Sequence, residues 1–282
     1  LLTPALLWLG VVYLGSLLTM LWVGVYTFDD FSMVVTPQLT MSNYKALFDG
    51  ANLDIVVRTV AMAAAVTVGC AAIAFPVAHY IARHTTGRAK GLFYVSVMLP
   101  MWVSYIVKAY AWTLILAQGG VVYWFVNALG LRGVLDWLLG LPVIGGSSLS
   151  TSNLGRFLVF TFVWLPFMIL PIHAAIERVP ENLLEASADL GARPRQMFRT
   201  VILPLAFPGV VAGSIFTFSL TLGDYIIPQL IGPSGYYIGT MVNTQQGSVG
   251  NLPMAAAFTT VPLAIIAVYL WMARRLGAFD AL

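Results

Sequence analysis

"EASADLGARPRQMFRTVILP", residues 185–204, is the polar interruption around which the chain is organised. It places two acidic and three basic side chains (Glu185, Asp189, Arg193, Arg195 and Arg199) in a chain that is 60% hydrophobic and 9% charged. Apolar runs flank it on both sides. Each is long enough to cross a hydrocarbon core of about 30 Å, which takes roughly 20 helical residues. The stretch therefore reads as a water-facing connection between two membrane spans.

The mean hydropathy of +0.88 exceeds what a solvated shell tolerates, because such a shell needs charged and polar side chains. Six apolar runs, approximately 1–26, 55–82, 91–117, 157–177, 201–223 and 254–273, are the expected spans of a single transmembrane domain, 1–282. The runs are continuous and rich in Ala, Leu and Val, and the ten-residue alternation of a membrane barrel is missing. Helices are then the way to satisfy the backbone in lipid, so an all-α integral membrane protein is expected. The first run is too long for a signal-peptide core and no small-residue cleavage site follows it, so it reads as a retained span. It begins at Leu1 without Met, and a cytoplasmic extension before it is expected. The single Cys70 excludes a disulfide framework or a cysteine metal site and reads as a packing residue.

Basic residues stay on the cytoplasmic side during insertion and so give orientation. Arg83, Arg88, Lys90, Arg178, Arg193, Arg195, Arg199, Arg274 and Arg275, nine of the 14 Lys and Arg residues, fall on one side of the expected spans. Both termini and residues 185–204 are accordingly expected in the cytoplasm. The net charge of +3 follows from topology. Nucleic-acid binding would need basic and aromatic residues clustered on a soluble face, and that pattern is missing.

The outer connections are long. Residues 27–54 contain an expected short helix starting near Ser42. Residues 118–156 are apolar at helical spacing but interrupted by Gly130 and Gly133. A surface-lying amphipathic pair is expected there, because a seventh span would put Asn127, Arg132 and Asp136 in lipid. A packed loop with no role of its own is the alternative.

Within the polar interruption, Pro180 and Glu181 mark a helix start, and Gly191 with Pro194 marks its end. Leu183, Leu184, Ala188 and Leu190 supply apolar positions, while Glu181, Glu185 and Asp189 recur every four residues on one face. A second short helix carrying Arg195 and Arg199 is expected to lead into the fifth span. This helix–Gly–helix elbow, approximately 180–200, suits a cleft on another protein; an ordinary solvated connection is the alternative.

The same stretch resembles the EAA loop of membrane subunits of binding-protein-dependent ABC importers: Glu-Ala-Ala, three residues, Gly, nine residues, then Ile-x-Leu-Pro. Glu185, Ala186, Gly191, Leu203 and Pro204 match at that spacing, with Ser187 in place of the second Ala and Val201 in place of Ile. "LPMWVSYIVKAYAWTLIL" (99–116), "LGDYIIPQLIGP" (222–233) and "QQGSVGNLPMAAAF" (245–258) resemble the spermidine/putrescine permease branch of that family. The resemblance implies a six-transmembrane-helix type I ABC importer permease with a cytoplasmic coupling (EAA) helix, in a bacterial cytoplasmic (inner) membrane. Its implied partners are a dimer of ATP-binding cassette ATPases, a second permease that is a different chain, a periplasmic or extracellular substrate-binding protein and the lipid bilayer. It assigns ATPase coupling to Glu185, Ala186, Ser187, Asp189, Gly191 and Ala192.

No G-x-x-x-x-G-K-[ST] phosphate loop occurs in the chain, so ATP and Mg are expected on the partner ATPase and no cofactor on this subunit. His79, His84 and His173 are dispersed without metal-ligand spacing, and no nucleophile motif or pair of catalytic carboxylates is found, so neither a metal site nor an intramembrane enzyme is expected. Candidates for the translocation path are Lys108, Tyr105, Trp112, Asp224 and Tyr225. An intramembrane charge is costly enough to suggest function, and aromatic faces attract ammonium groups. Against this, Lys108 can be snorkelling or paired internally, Asp224 can be a helix-end carboxylate, and Trp102, Tyr105, Tyr110, Trp112 and Tyr225 can form interface belts. The resemblance implies polyamine transport, whereas a zwitterion such as 4-aminobutyrate would use Lys108 for its carboxylate and Asp224 for its amine. A stand-alone secondary carrier would show inverted repeats and would leave the elbow without a purpose.

Overall fold

A computed structural model describes residues 3–275. The first two residues of the first expected span and the segment 276–282 lie outside the described residues. Among the described residues, five helices are long and apolar enough to cross a membrane, or six if a sharply bent pair counts as one span. They are α1 (Leu6–Val23), α3 (Gly50–His84), α8 (Asn153–Glu177), α10 (Pro194–Gly223) and α13 (Leu252–Arg275), with α4 (Gly87–Trp102) and α5 (Tyr105–Ile115) as the bent pair. Prolines inside these helices, among them Pro76, Pro100, Pro166, Pro171, Pro208 and Pro262, are tolerated because neighbouring helices, side chains and local adjustments satisfy the backbone groups they free.

The third expected span, 91–117, is not one straight helix. Its halves are bent by 95°, and Val103 and Ser104 between them are extended, with ψ of 137° and 134°. Pro100, in the last turn of α4, lacks an N–H and crowds the preceding turn, which weakens the helix just before the break. The expected second short helix of the elbow is likewise not separate. From Pro194 the chain runs through a π-helical turn, Phe198–Ile202, into a single 30-residue α10. The first expected span ends at Val23 rather than at residue 26, and a hairpin of β1 (Tyr26–Asp29) and β2 (Val34–Leu39) follows. Gly24 packs closely there: a Cβ would lie 2.6 Å from the Tyr44 hydroxyl and would displace that side chain.

The chain divides into two compact units. One comprises the residues up to Val60 with Leu222–Tyr225 and Gly235–Ile265. The Asn43 side-chain amide, on α2 (Ser42–Ala46), donates to the Gly24 and Tyr26 carbonyls at 2.9 and 2.8 Å and so fixes the hairpin. Leu47, Ile55, Ile238, Ala257 and Phe258 form the core of this unit. Helix α1 presents apolar side chains to its surroundings on all sides, as expected of a helix solvated by lipid.

The other unit holds Ala61–Thr221, Ile226–Ser234 and the residues from Ile266 onward. In α3, Val66, Cys70, Ala74 and Ala78 recur every fourth residue and bury one stripe in a core shared with Phe160, Met168, Ile172 and Ile176 of α8. Cys70 is thus a packing residue. Helix α10 approaches α8 through glycines: a Cβ at Gly213 would lie 2.7 Å from Met168 Sδ, and one at Gly209 2.6 Å from the Pro171 carbonyl oxygen. Close contact through small residues replaces the hydrophobic drive that lipid cannot provide. The 118–156 connection forms two eight-residue helices, α6 (Val121–Ala128) and α7 (Arg132–Leu139), each too short to span. Tyr123 and Leu135 tie them into the same core.

Arg156, in the first turn of α8, is 0% exposed. Its guanidinium donates to the Ile231, Pro228 and Pro233 carbonyls at 2.8, 3.3 and 3.1 Å, and to Asn153 Oδ1 at 2.9 Å. These carbonyls close the end of the short helix α11 (Ile226–Leu230). Replacing Arg156 by Met would leave them buried without a donor, at a cost of about 3 kcal/mol or more. The expected outcome is a clear fall in the unfolding temperature of the detergent-purified protein, with unchanged helical circular dichroism at low temperature.

Candidate functional site

The elbow is built by local rules. Pro180 is extended (φ −63°, ψ 138°) and precedes α9 (Glu181–Asp189). Its fixed φ breaks the link to α8, and Glu181 complements the positive end of the new helix dipole. At the far end, the Ala192 amide donates to the Ser187 carbonyl at 3.1 Å and the Gly191 amide to the Ala188 carbonyl at 2.8 Å. This is a Schellman closure, which puts the residue after the cap in the left-handed region. That residue is Gly191, with φ +77°. No neighbour lies within 4 Å of where its Cβ would sit, so conformation and not space requires glycine here. Arg193 is extended because Pro194 follows it, and Pro194 opens α10.

No residue of α9 is buried. Leu184 and Ser187 face partly inward, whereas Leu183 and Leu190 are 43% and 89% exposed. Leu183, Ala186 and Leu190 follow helical spacing on the outward side, beside Glu181, Glu185 and Asp189. Past the turn, Arg193, Arg195 and Arg199 line an open groove with Gln196 and Thr200. A short helix with an apolar ridge, an acidic stripe and an adjoining basic groove, none of it covered by its own chain, has the makeup of a docking element.

The expected path residues divide between the two units. Lys108 Nζ donates to the Pro100 carbonyl at 2.9 Å, across the break between α4 and α5, and lies 5.9 Å from the centre of the Tyr105 ring. Tyr105 stacks on Trp164 at 5.7 Å, and Trp112 meets Phe162 edge-on at 5.0 Å. Lys108, Tyr105 and Trp112 therefore share one aromatic-walled region around the helix break. Asp224 and Tyr225 belong to the other unit, in the break between α10 and α11, with Asp224 half-buried and Tyr225 exposed. Sequence reading missed the partner of Lys108, although a proline eight residues before an intramembrane lysine was a usable signal. It also missed Arg83 of α3, whose Nη2 donates to the Ile176 and Val179 carbonyls at 3.0 and 2.7 Å. Nothing local signals that contact, since its partners are 93 and 96 residues away.

Several helices apolar enough to span a membrane, with an exposed polar elbow between two of them, define a multi-pass membrane protein. The chain belongs to the binding-protein-dependent transport system inner membrane component family, whose model matches residues 74–278. It is thus an inner-membrane permease subunit of an ABC importer. It is 65% identical over 282 residues to the inner membrane ABC transporter permease protein YdcU of Escherichia coli, covering 100% of this chain and 90% of that one. It is 28% identical to the spermidine/putrescine transport system permease protein PotB of Haemophilus influenzae, covering 95% and 91%. A solved bacterial ABC transporter that imports the acidic polysaccharide alginate has the same fold, with a TM-score of 0.70 at 18% identity, covering 96% and 93%.

Two predictions follow from this geometry. Gly191→Ala forces a side chain into the left-handed region at a cost of about 1–2 kcal/mol, and Gly191→Asn costs less. Hydrogen exchange of the 186–192 amides should quicken in the order Gly, Asn, Ala, while α8 is unaffected. Lys108→Met removes the donor to Pro100, and a loss of thermal stability of about 1–3 kcal/mol is expected. Unchanged stability would show that the carbonyl has another partner.

Proposed function

We propose that the chain forms half of the translocation path of an ATP-driven polyamine importer, and that its elbow is the coupling helix. In this reading a partner ATPase dimer, which carries ATP and Mg, receives Glu185, Ala186, Ser187, Asp189, Gly191 and Ala192 in a groove on its surface. Closure of that dimer moves the elbow, and the spans alternate between inward-open and outward-open states. A periplasmic binding protein delivers the amine, a second and different permease completes the path, and both termini of this chain lie in the cytoplasm. The single observation that carries the coupling role is a nine-residue helix with no fully buried residue that exposes Leu183 and Leu190.

The substrate class rests on the spermidine/putrescine permease relatives. Lys108 donates to the Pro100 carbonyl across the helix break, which gives it a role in the fold whatever the ligand. Within the unit that holds Lys108, the faces of Tyr105 and Trp112 are the candidates for cation contact; within the other unit, Tyr225 and Asp224 are.

Two measurements test the proposal. Glu185→Lys reverses the acidic stripe, so the variant should insert normally, lose co-purification with the ATPase and lose uptake. Normal assembly and uptake would remove the elbow from the mechanism. In the reconstituted complex, the binding protein loaded in turn with putrescine, spermidine and 4-aminobutyrate should stimulate ATP hydrolysis only with the polyamines. Stimulation by 4-aminobutyrate alone would overturn the polyamine reading.

A further inference from the structure

The elbow is exposed, but its root is not. Val179 is buried, and the turn Ile176–Val179 is gripped from two helices. Arg83, in the last turn of α3, donates through one nitrogen to the Ile176 and Val179 carbonyls. Lys90, in the first turn of α4, forms an ion pair with Glu177 Oε1. The other carboxylate oxygen of Glu177 lies 3.5 Å from His173 Nδ1, and His173 is itself packed edge-on against Tyr94 of α4 at 5.6 Å. Only Thr85 and Thr86 separate α3 from α4, and Thr85 is buried, so one tight helical hairpin holds the root from both sides.

Helix α4 has a second anchored end. Its 16 residues carry Lys90 in the first turn and Pro100 in the last, and the Pro100 carbonyl accepts from Lys108 across the break at Val103–Ser104. We infer that Arg83 and Lys90 are positioning residues: they clamp the root of the elbow and pass its displacement along α4 to the helix break beside Lys108 and Tyr105. The physical reason is stiffness. A displacement applied to the exposed α9 would otherwise be absorbed in the turn at Arg178–Pro180. With the carbonyls of that turn tied to α3 and its carboxylate tied to α4, the turn moves with the hairpin. A helix of 16 residues transmits that motion over about 24 Å. The inference rests on the coupling reading above and deepens it.

The test joins a local readout to a functional one. In hydrogen exchange on the membrane-reconstituted chain, Arg83→Ala should speed exchange of amides 179–190 about tenfold and leave the core of α8 unchanged. In the complete complex, Arg83→Ala and Lys90→Glu should go on hydrolysing ATP while putrescine imported per ATP falls about tenfold. The exchanged pair, Lys90→Glu with Glu177→Lys, should restore much of that ratio, a rescue that a general folding defect would not give. Unchanged exchange at 179–190, or an unchanged import ratio in both single variants, would overturn the clamp and leave the docking role of Glu185 standing. Failure of the unaltered chain to co-purify with any ATPase would sink the coupling reading, and this inference with it. If the unaltered complex hydrolyses ATP but imports no putrescine, the polyamine reading alone falls and the exchange data decide the clamp.

Discussion

The structure depends on one constraint: a backbone carbonyl freed where a membrane helix stops must find a donor inside the protein. Three cationic side chains meet that need at three breaks. Lys108 takes the Pro100 carbonyl where α4 gives way to α5. Arg156 takes the Pro228, Ile231 and Pro233 carbonyls at the end of α11. Arg83 takes the Ile176 and Val179 carbonyls at the end of α8. Each sits at the negative end of a helix dipole, where a cation is stabilised, and the break at Lys108 falls in a run that the hydrophobic pattern alone would have let run straight.

These breaks also localise the chemistry. Uninterrupted apolar helices offer neither charge nor directional hydrogen bonds, so what a permease does with a polar solute or a soluble partner has to occur where helices end. The break at Val103–Ser104 gathers Lys108, Tyr105 and Trp112, the break after Gly223 holds Asp224 and Tyr225, and the break at Val179–Pro180 begins the elbow. A cation that caps a carbonyl at such a place keeps its charge but has one of its donors held by the helix end. Lys108 therefore differs from a free intramembrane lysine, and a substitution there would disturb the helix break before it altered any ligand contact.

Much of this was legible in the sequence because the signals are local. Hydropathy located the apolar runs, and Pro180, Gly191 and Pro194 bounded the short helix because each residue type fixes its own backbone. What escaped were features set by distant partners. The 95° bend in the third run depends on Pro100 acting together with a lysine eight residues later. The burial of Arg156 depends on a carbonyl cluster more than 70 residues away. The merging of the expected second elbow helix into α10 went unseen because Pro194 is as compatible with the first turn of a long helix as with a short separate one. The hairpin Tyr26–Leu39 was missed because its weak alternation ran into the end of an apolar run.

The contrast between the elbow and its root bears on how a membrane subunit can be driven from outside. A docking helix must be exposed to meet its partner, and an exposed nine-residue helix is weakly stable alone, since helices shorter than roughly 12 residues are marginal in water. Force applied to such an element distorts it unless its attachment is stiffer than the element itself. Here the attachment is a buried turn tied by two hydrogen bonds and an ion pair to a hairpin whose linker is two residues long. On the proposed coupling role, the soft part would meet the partner while the stiff part joins it to the spans. The elbow would then be a lever with a fixed base, with Arg83 and Lys90 more consequential than any exposed residue of α9 except those in direct contact with the partner.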